Sequence, residues 1–212
     1  MTLSAAAHLD TKSRLLQAAM ELFTTQGYEA TSLADIVQRA GVNPGSLYYF
    51  FKTKEDLLVA GLEFFQTLLY PIVMEPPFAR TADSIERVFE VLADYRARLV
   101  ACHLDYECPV GKLALEVGRR SERAREGIAA NFAAWRDCIF ACLQDAGDRL
   151  PRSTDRRALA TFVLTVMEGA VMQARTHKDI GFFDASIMHL RRYFDQLLAD
   201  GDREREQNAW AV

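Results

Sequence analysis

Two stretches of this 212-residue chain hold side chains whose types and spacing could do chemistry. In Asn43-Pro-Gly-Ser-Leu-Tyr-Tyr-Phe-Phe-Lys-Thr-Lys54, small and hydrogen-bonding residues are followed at once by two ammonium groups. A phenol can hydrogen-bond a phosphate oxygen and stack on a sugar or base, and a lysine neutralises phosphate charge. In Glu107-Cys-Pro-Val-Gly-Lys-Leu-Ala-Leu-Glu116, the thiol of Cys108 lies just before a short helical pattern. The positive end of a helix and a nearby Lys112 both favour thiolate there, while Glu107 opposes it. Neither stretch resembles a hydrolytic centre. There is no Ser/His/Asp arrangement, no glycine-rich phosphate loop and no metal-type spacing, and nothing in sequence orients His103, five positions before Cys108. Catalytic residues, cofactors and metals are therefore not expected. A small thiol-dependent helical enzyme using Cys108 is the alternative.

The first stretch needs a scaffold, which the preceding residues supply. Leu33, Ile36, Val37 and Ala40 recur at helical spacing, with Thr31 or Ser32 as the cap. Gly41 can take the left-handed conformation that ends the helix. Asn43 then caps a second short helix, and Pro44 sits at its first position, where a missing N–H costs nothing. Leu47 and Phe51 point to the core, leaving Gly45, Ser46, Tyr48 and Tyr49 near the helix N-terminus. Two short helices joined by a tight turn are the unit that places its second helix in the DNA major groove. Tyr48 and Tyr49 covering the edge of a core is the competing reading.

The run Ala40-Gly-Val-Asn-Pro-Gly-Ser-Leu-Tyr-Tyr-Phe-Phe-Lys-Thr-Lys-Glu-Asp-Leu57 resembles the signature of the TetR family of bacterial transcriptional regulators. Ala18-Ala-Met-Glu-Leu-Phe-Thr-Thr-Gln-Gly-Tyr-Glu-Ala-Thr-Ser-Leu-Ala-Asp-Ile36 is similar to that family's first-helix pattern, so the likeness covers roughly residues 11–58. It departs at Phe50, where the family often has a polar residue or histidine. The resemblance implies an all-α chain: a three-helix unit with a helix-turn-helix in residues 1–56, then a larger helical ligand-binding and dimerisation domain in 57–212. It implies a dimeric regulator, a repressor by default, released from a palindromic operator by a small molecule or by modification of Cys108. The DNA contacts expected are Ser32, Asn43, Gly45, Ser46, Tyr48, Tyr49 and Lys54, with Ser46 and Tyr49 in the groove and Tyr48, Lys54 and Ser32 on phosphates. The Cys108 stretch is similar to a C-P-x-G-x-L-A-x-E segment of a TetR-like subgroup. In some of these, of the N-ethylmaleimide repressor type, a cysteine senses electrophiles or oxidants. A buried, inert Cys108 is the competing reading, and Cys102, Cys138 and Cys142 read as helix-face packing.

The net charge of −4 does not suggest a DNA binder until it is divided. Residues 1–54 carry five basic and four acidic side chains, and the remainder is net −5, so any DNA face is small and local. No signal peptide is read in residues 1–8, and the apolar run 158–174 is short for a bilayer and interrupted by Glu168. A cytoplasmic protein with reduced thiols and no membrane partner is expected.

Along the chain, residues 1–10 read as a loose arm and Thr11 as the cap of the first helix, which Gly27 stops. Thr53 to Asp56 reads as a capping box. The fourth helix runs to about Leu69, a candidate lever between the two parts, and Pro71, Pro76 and Pro77 break it. Further helices are expected over 84–104, 112–117 and 121–146, with another from Ser153 or Thr154. The charged tail after Gly201 reads as frayed. No window alternates as a strand. Two apolar stripes, Leu159 to Ala174 and Ile187 to Leu198, could pack within one chain; the resemblance implies instead that these last helices pair with their copies in a homodimer. Effector contacts are expected from Phe89, Tyr95, Leu99, His103, Cys108, Phe132, Trp135, Phe162 and Met167, with plain core packing as the competing reading of the apolar ones.

Overall fold

The computed structural model describes residues 10–210, and every regular element among them is helical. The expected N-terminal arm falls almost entirely on residues 1–9, outside the described residues. In chain order the α-helices are α1 Thr11–Thr25, α2 Leu33–Ala40, α3 Pro44–Phe50, α4 Lys54–Leu68, α5 Glu75–Phe78, α6 Ser84–Ala101, α7 Pro109–Val117, α8 Glu122–Asp145, α9 Arg156–His177 and α10 Gly181–Ala209. They form two compact units, residues 10–67 with 109–132, and residues 68–108 with 133–210. The first unit is thus built from two separate segments, and the division falls inside α8.

The first unit is organised by α1. Its Leu15, Ala19, Met20 and Phe23 pack with Ile36 of α2, Leu47 of α3, Leu57, Leu58 and Leu62 of α4, and Leu113 and Val117 of α7. Local chemistry sets the helix ends. Asp10, rather than Thr11, caps α1 by accepting from the Ser13 N–H at 2.7 Å. A carboxylate one residue earlier offers full negative charge to the positive helix end, which a hydroxyl cannot. Ser32 and Asp35 form a reciprocal capping box at α2, leaving Thr31 buried with its hydroxyl donating to the Gly27 carbonyl. Gly41 closes α2 at φ 61°, ψ 41°. Arg14 of α1 then donates to the free carbonyls of Ala40 and Gly41 at 2.6 and 2.9 Å.

Pro71 does not break the helix that begins at Lys54. Leu69–Met74 widens into π-helical geometry, and α5 follows at once with Pro76 and Pro77 in its first turn. A wider turn accommodates a residue that lacks the N–H needed for regular α-helical bonding. The resulting Lys54–Phe78 run is long and apolar enough to cross a membrane, but its Leu57, Leu58 and Leu62 belong to the first core and its Met74 to the second.

The second unit packs α6, the latter part of α8, α9 and α10 around Val88, Leu92, Leu99, Ile139, Val163, Met167 and Phe194. Arg191 of α10 lies over the Phe89 ring, 3.4 Å from its centroid, and pairs bidentately with Glu86 at 2.6 Å. Three expectations about helix ends change here. Asp155, not Ser153 or Thr154, caps α9. α6 stops at Ala101 because His103 and Leu104 take positive φ values of 49° and 62°. The charged tail continues α10 to Ala209, held by Arg205 on the Asp148 carbonyl, Glu204 on the Arg152 N–H, and Arg203–Asp200 and Arg205–Asp202 pairs one turn apart. Cys102 is exposed past the end of α6 rather than packed on a helix face. Cys142 is buried, which pushes its thiol up to about 11.

Candidate nucleic-acid interface and sensor region

α3 owes its start to Asn43, whose side chain accepts from the Gly45 N–H at 2.9 Å, and to Pro44 in the first turn. Its inner face is Leu47, fully buried, with Phe51 just beyond the helix. The opposite face is a phenol platform, with Tyr48 56% and Tyr49 78% exposed and Phe50 stacked edge-on against Tyr49 at 4.9 Å. Core cover therefore does not explain these rings; Leu47 and Phe51 do that work. Gly45 is exposed and Ser46 half-buried beside them. Ser32 is exposed with its hydroxyl engaged by Asp35. Lys54 is less available: its ammonium lies over the Tyr28 ring, 4.3 Å from the centroid, and reaches the Glu29 carbonyl at 3.4 Å. Burial draws it below the usual lysine range, against the pull of Glu29 and Glu116.

α7 grips this unit from behind. Lys112 donates to the Thr24 and Thr25 carbonyls at 2.7 and 3.1 Å, at the negative end of α1. One turn on, the Glu116 carboxylate accepts from the Tyr28 and Glu29 N–H groups at 2.9 and 2.8 Å. Gly27 makes room for it. Gly27 holds φ +99°, and a Cβ there would stand 3.2 and 3.3 Å from the two Glu116 oxygens. The lysine and glutamate of the G-K-L-A-L-E sequence thus fasten the end of α1 and the turn into α2. Their separation by four residues on a helix with Leu113 inward is the sequence signal for this pair of fasteners.

In the second unit the expected effector residues divide. Tyr95, Leu99, Trp135 and Met167 are buried together, and the Trp135 indole N–H donates to the Tyr95 hydroxyl at 3.2 Å. Tyr106 joins them, its ring 6.2 Å from that of Tyr95. Cys108 is half-buried and its thiol hydrogen-bonds the Glu168 carboxyl, whose pKa burial raises and this bond pulls back. Burial lifts the Tyr95 phenol well above its ordinary range and the Tyr106 phenol to about 12, with Cys108 as a further upward influence on both. Phe89 lies in the same core, against Phe194 and Arg191. His103 sits in the exposed turn after α6. Phe132 packs on the core of the first unit. Phe162 is 47% exposed on α9, facing Tyr193 of α10 across 6.1 Å. Tyr106 and Glu168 were not expected; the signal for Glu168 was its place as the lone acid in an apolar run. Among the described residues, no group of acids, cysteines and histidines is arranged to hold a metal.

α9 and α10 also frame an open groove of about 1230 Å³, lined by Phe162, Thr165, Val166, Gly169, His189, Tyr193 and Leu197 among others. A Cβ on Gly169 would meet nothing within 4 Å.

Comparison with known proteins agrees across nearly the whole chain. Residues 15–60 match the family described as "Bacterial regulatory proteins, tetR family", and residues 84–188 match "Transcriptional regulator LmrA/YxaF-like, C-terminal domain". The HTH-type transcriptional regulator LmrA of Bacillus subtilis is 28% identical over 191 residues, 89% of this chain and 97% of that protein. The HTH-type transcriptional repressor ComR of Escherichia coli is 30% identical over 167 residues, 76% of this chain and 77% of that one. Among solved structures, a cysteine-substituted form of the TetR family regulator CifR, complexed with 26-bp double-strand operator DNA, superimposes with a TM-score of 0.70 at 27% identity, covering 86% of this chain and 96% of that one.

Proposed function

The chain belongs to the TetR family of DNA-binding transcriptional regulators, and from this we infer a homodimeric repressor that leaves a palindromic operator in the cytoplasm when a small molecule occupies its second unit. The observation that carries the DNA reading is the exposed Tyr48–Tyr49 platform on a helix capped by Asn43 and backed by Leu47. In this reading Tyr49, Ser46 and Gly45 approach base edges. Tyr48, Ser32, Lys54 and the N-terminus of α3 at Asn43 hold phosphates. Lys54 must then swing off Tyr28 to reach its phosphate.

The groove between α9 and α10 supports the dimer. Phe162 and Tyr193 expose aromatic surface there, and among the described residues Gly169 has no neighbour that requires a glycine. A copy of the same two helices, crossing closely at Gly169, accounts for both features and gives the two recognition helices a palindrome needs.

The effector reading rests on Tyr95, Tyr106, Trp135 and Glu168, whose buried polar groups exceed what packing requires. Cys108 ends this segment and α7 begins at the next residue, so a molecule bound beside Cys108, or a modification of it, acts on the root of the helix that carries Lys112 and Glu116. Typical coupling would change DNA affinity by about 1–3 kcal/mol. The test is selection of bound duplexes from a random pool by the purified protein, with its mass in solution measured in parallel. Enrichment of one palindrome by a dimer is expected; a folded dimer that enriches nothing after ligand stripping and reduction refutes the reading.

A further inference from the structure

Charged side chains of the second unit that lie near one another are mostly paired. Arg191 holds Glu86, Arg96 holds Asp184, Arg149 holds Asp83, and Arg175 holds Glu107. Among the described residues, Glu168 has no such ion-pair partner. It follows the fully buried Met167 on α9, its Oε1 atom is buried, and no donor among those residues reaches that oxygen. Its carboxyl accepts from the Cys108 thiol, and the other polar groups around it are committed elsewhere. The Trp135 N–H is spent on Tyr95. Arg98 approaches the cluster, but its guanidinium lies 6.0 Å from the centroid of the Tyr95 ring and hydrogen-bonds Tyr106. A carboxylate oxygen in such a place lacks both a proton donor and a positive charge, and burial makes both deficits costly. The charge of Glu168 acts on both Tyr95 and Tyr106, Trp135 is bonded to Tyr95, and aromatic rings of this kind attract cations.

We propose that Glu168 anchors a binding site for an organic monocation bearing an N–H donor, a protonated amine on an aromatic body. The ammonium donates to Oε1 and pairs with the carboxylate, while the body packs on Tyr95, Tyr106 and Trp135. A neutral molecule of the same shape supplies the packing but not the charge, and leaves the carboxylate uncompensated. The assignment of this cation as the effector rests on the reading of the second unit as a sensor.

The probes are 2-phenylethylammonium and tryptammonium, each with its neutral alcohol, 2-phenylethanol or tryptophol, titrated calorimetrically into the full chain. The parent protein should bind at least one ammonium ion at least tenfold more tightly than its alcohol. Glu168→Gln, with helicity verified by circular dichroism, should abolish that preference and leave alcohol affinity unchanged. Equal affinity for ammonium and alcohol in the parent overturns the proposal without recourse to any variant, as does absence of saturable binding of both ammonium ions. Release of operator DNA is measured separately by fluorescence anisotropy. Glu168-dependent ammonium binding that leaves the operator complex intact upholds the cation site and refutes the sensor reading. Release by the neutral alcohols alone, with no ammonium preference in binding, refutes the cation site and upholds the sensor.

Discussion

Replacing Glu116 with alanine should loosen the turn between α1 and α2 more than an ordinary surface substitution would. Two backbone N–H groups, those of Tyr28 and Glu29, donate to this carboxylate at 2.9 and 2.8 Å. Hydrogen bonds to a charged acceptor contribute roughly 1.5–3 kcal/mol each, but water can replace the one at exposed Glu29 at little net cost. The half-buried Tyr28 N–H has less access to water, so the loss should total about 2 kcal/mol. Urea unfolding would register this as a lower midpoint at unchanged slope. Amide exchange gives the specific readout, because 2 kcal/mol corresponds to roughly thirty-fold faster exchange at tenfold per 1.4 kcal/mol. That acceleration should appear at Tyr28 and Glu29 and spare the core amides of α1. Glu116→Gln, which keeps an acceptor but loses the charge, should fall between. An unchanged midpoint together with unchanged exchange at both amides in the alanine variant would refute the claim that Glu116 holds the turn.

Other substitutions address the remaining surfaces. Tyr49→Ala should leave the unfolding midpoint within about 0.5 kcal/mol, since the ring is 78% exposed, and still weaken operator binding in an anisotropy titration by about tenfold or more. Lys54→Ala should reduce the salt dependence of operator affinity by about one charge, and an unchanged slope would take Lys54 off the phosphate list. Phe162→Glu combined with Tyr193→Glu should give a folded monomer in sedimentation velocity, because both rings line the groove assigned to the partner copy; a persistent dimer would move the interface elsewhere. Burial raises the Glu168 pKa, so the folded state favours its protonated form and loses stability as pH rises from the ordinary carboxylate value through the folded one. Glu168→Gln should therefore gain stability over the parent at pH 8 but not at pH 4, as measured by urea midpoints across that range.

What the sequence made legible was the chemistry that acts over three or four residues. The Ser32 capping box, the left-handed Gly41, the Asn43 cap and the Thr53–Asp56 box each close within one helical turn. Caps were misplaced where a carboxylate stood within two residues of the chosen hydroxyl, as at Asp10 and Asp155. Proline forbids a regular helical bond, yet at Pro71 the chain widens its turn instead of breaking. Contacts across long separations left little trace in the pattern. Glu116 meets Tyr28 88 residues away, and the Arg14 link to Ala40 spans 26. Of the residues expected to touch an effector, those that came together are large and apolar enough to be buried in any fold. What separated Phe162 from them was the exposed helix face it occupies, and Phe132 lies three residues before Trp135 on α8, on the other side of the division between the units.

The grip of α7 on the first unit limits how this protein can be taken apart. A fragment ending at Thr67 would leave the Thr24 and Thr25 carbonyls and the Tyr28 and Glu29 N–H groups without Lys112 and Glu116, and would bare the surface that Leu113 and Val117 cover. A chimera that grafts only the contiguous N-terminal segment onto another regulator would pair this α1–α2 turn with a foreign helix. Re-targeting by exchange of DNA heads should therefore succeed when residues 109–132 travel with residues 10–67, and the cut points should be drawn around three-dimensional modules rather than along the chain.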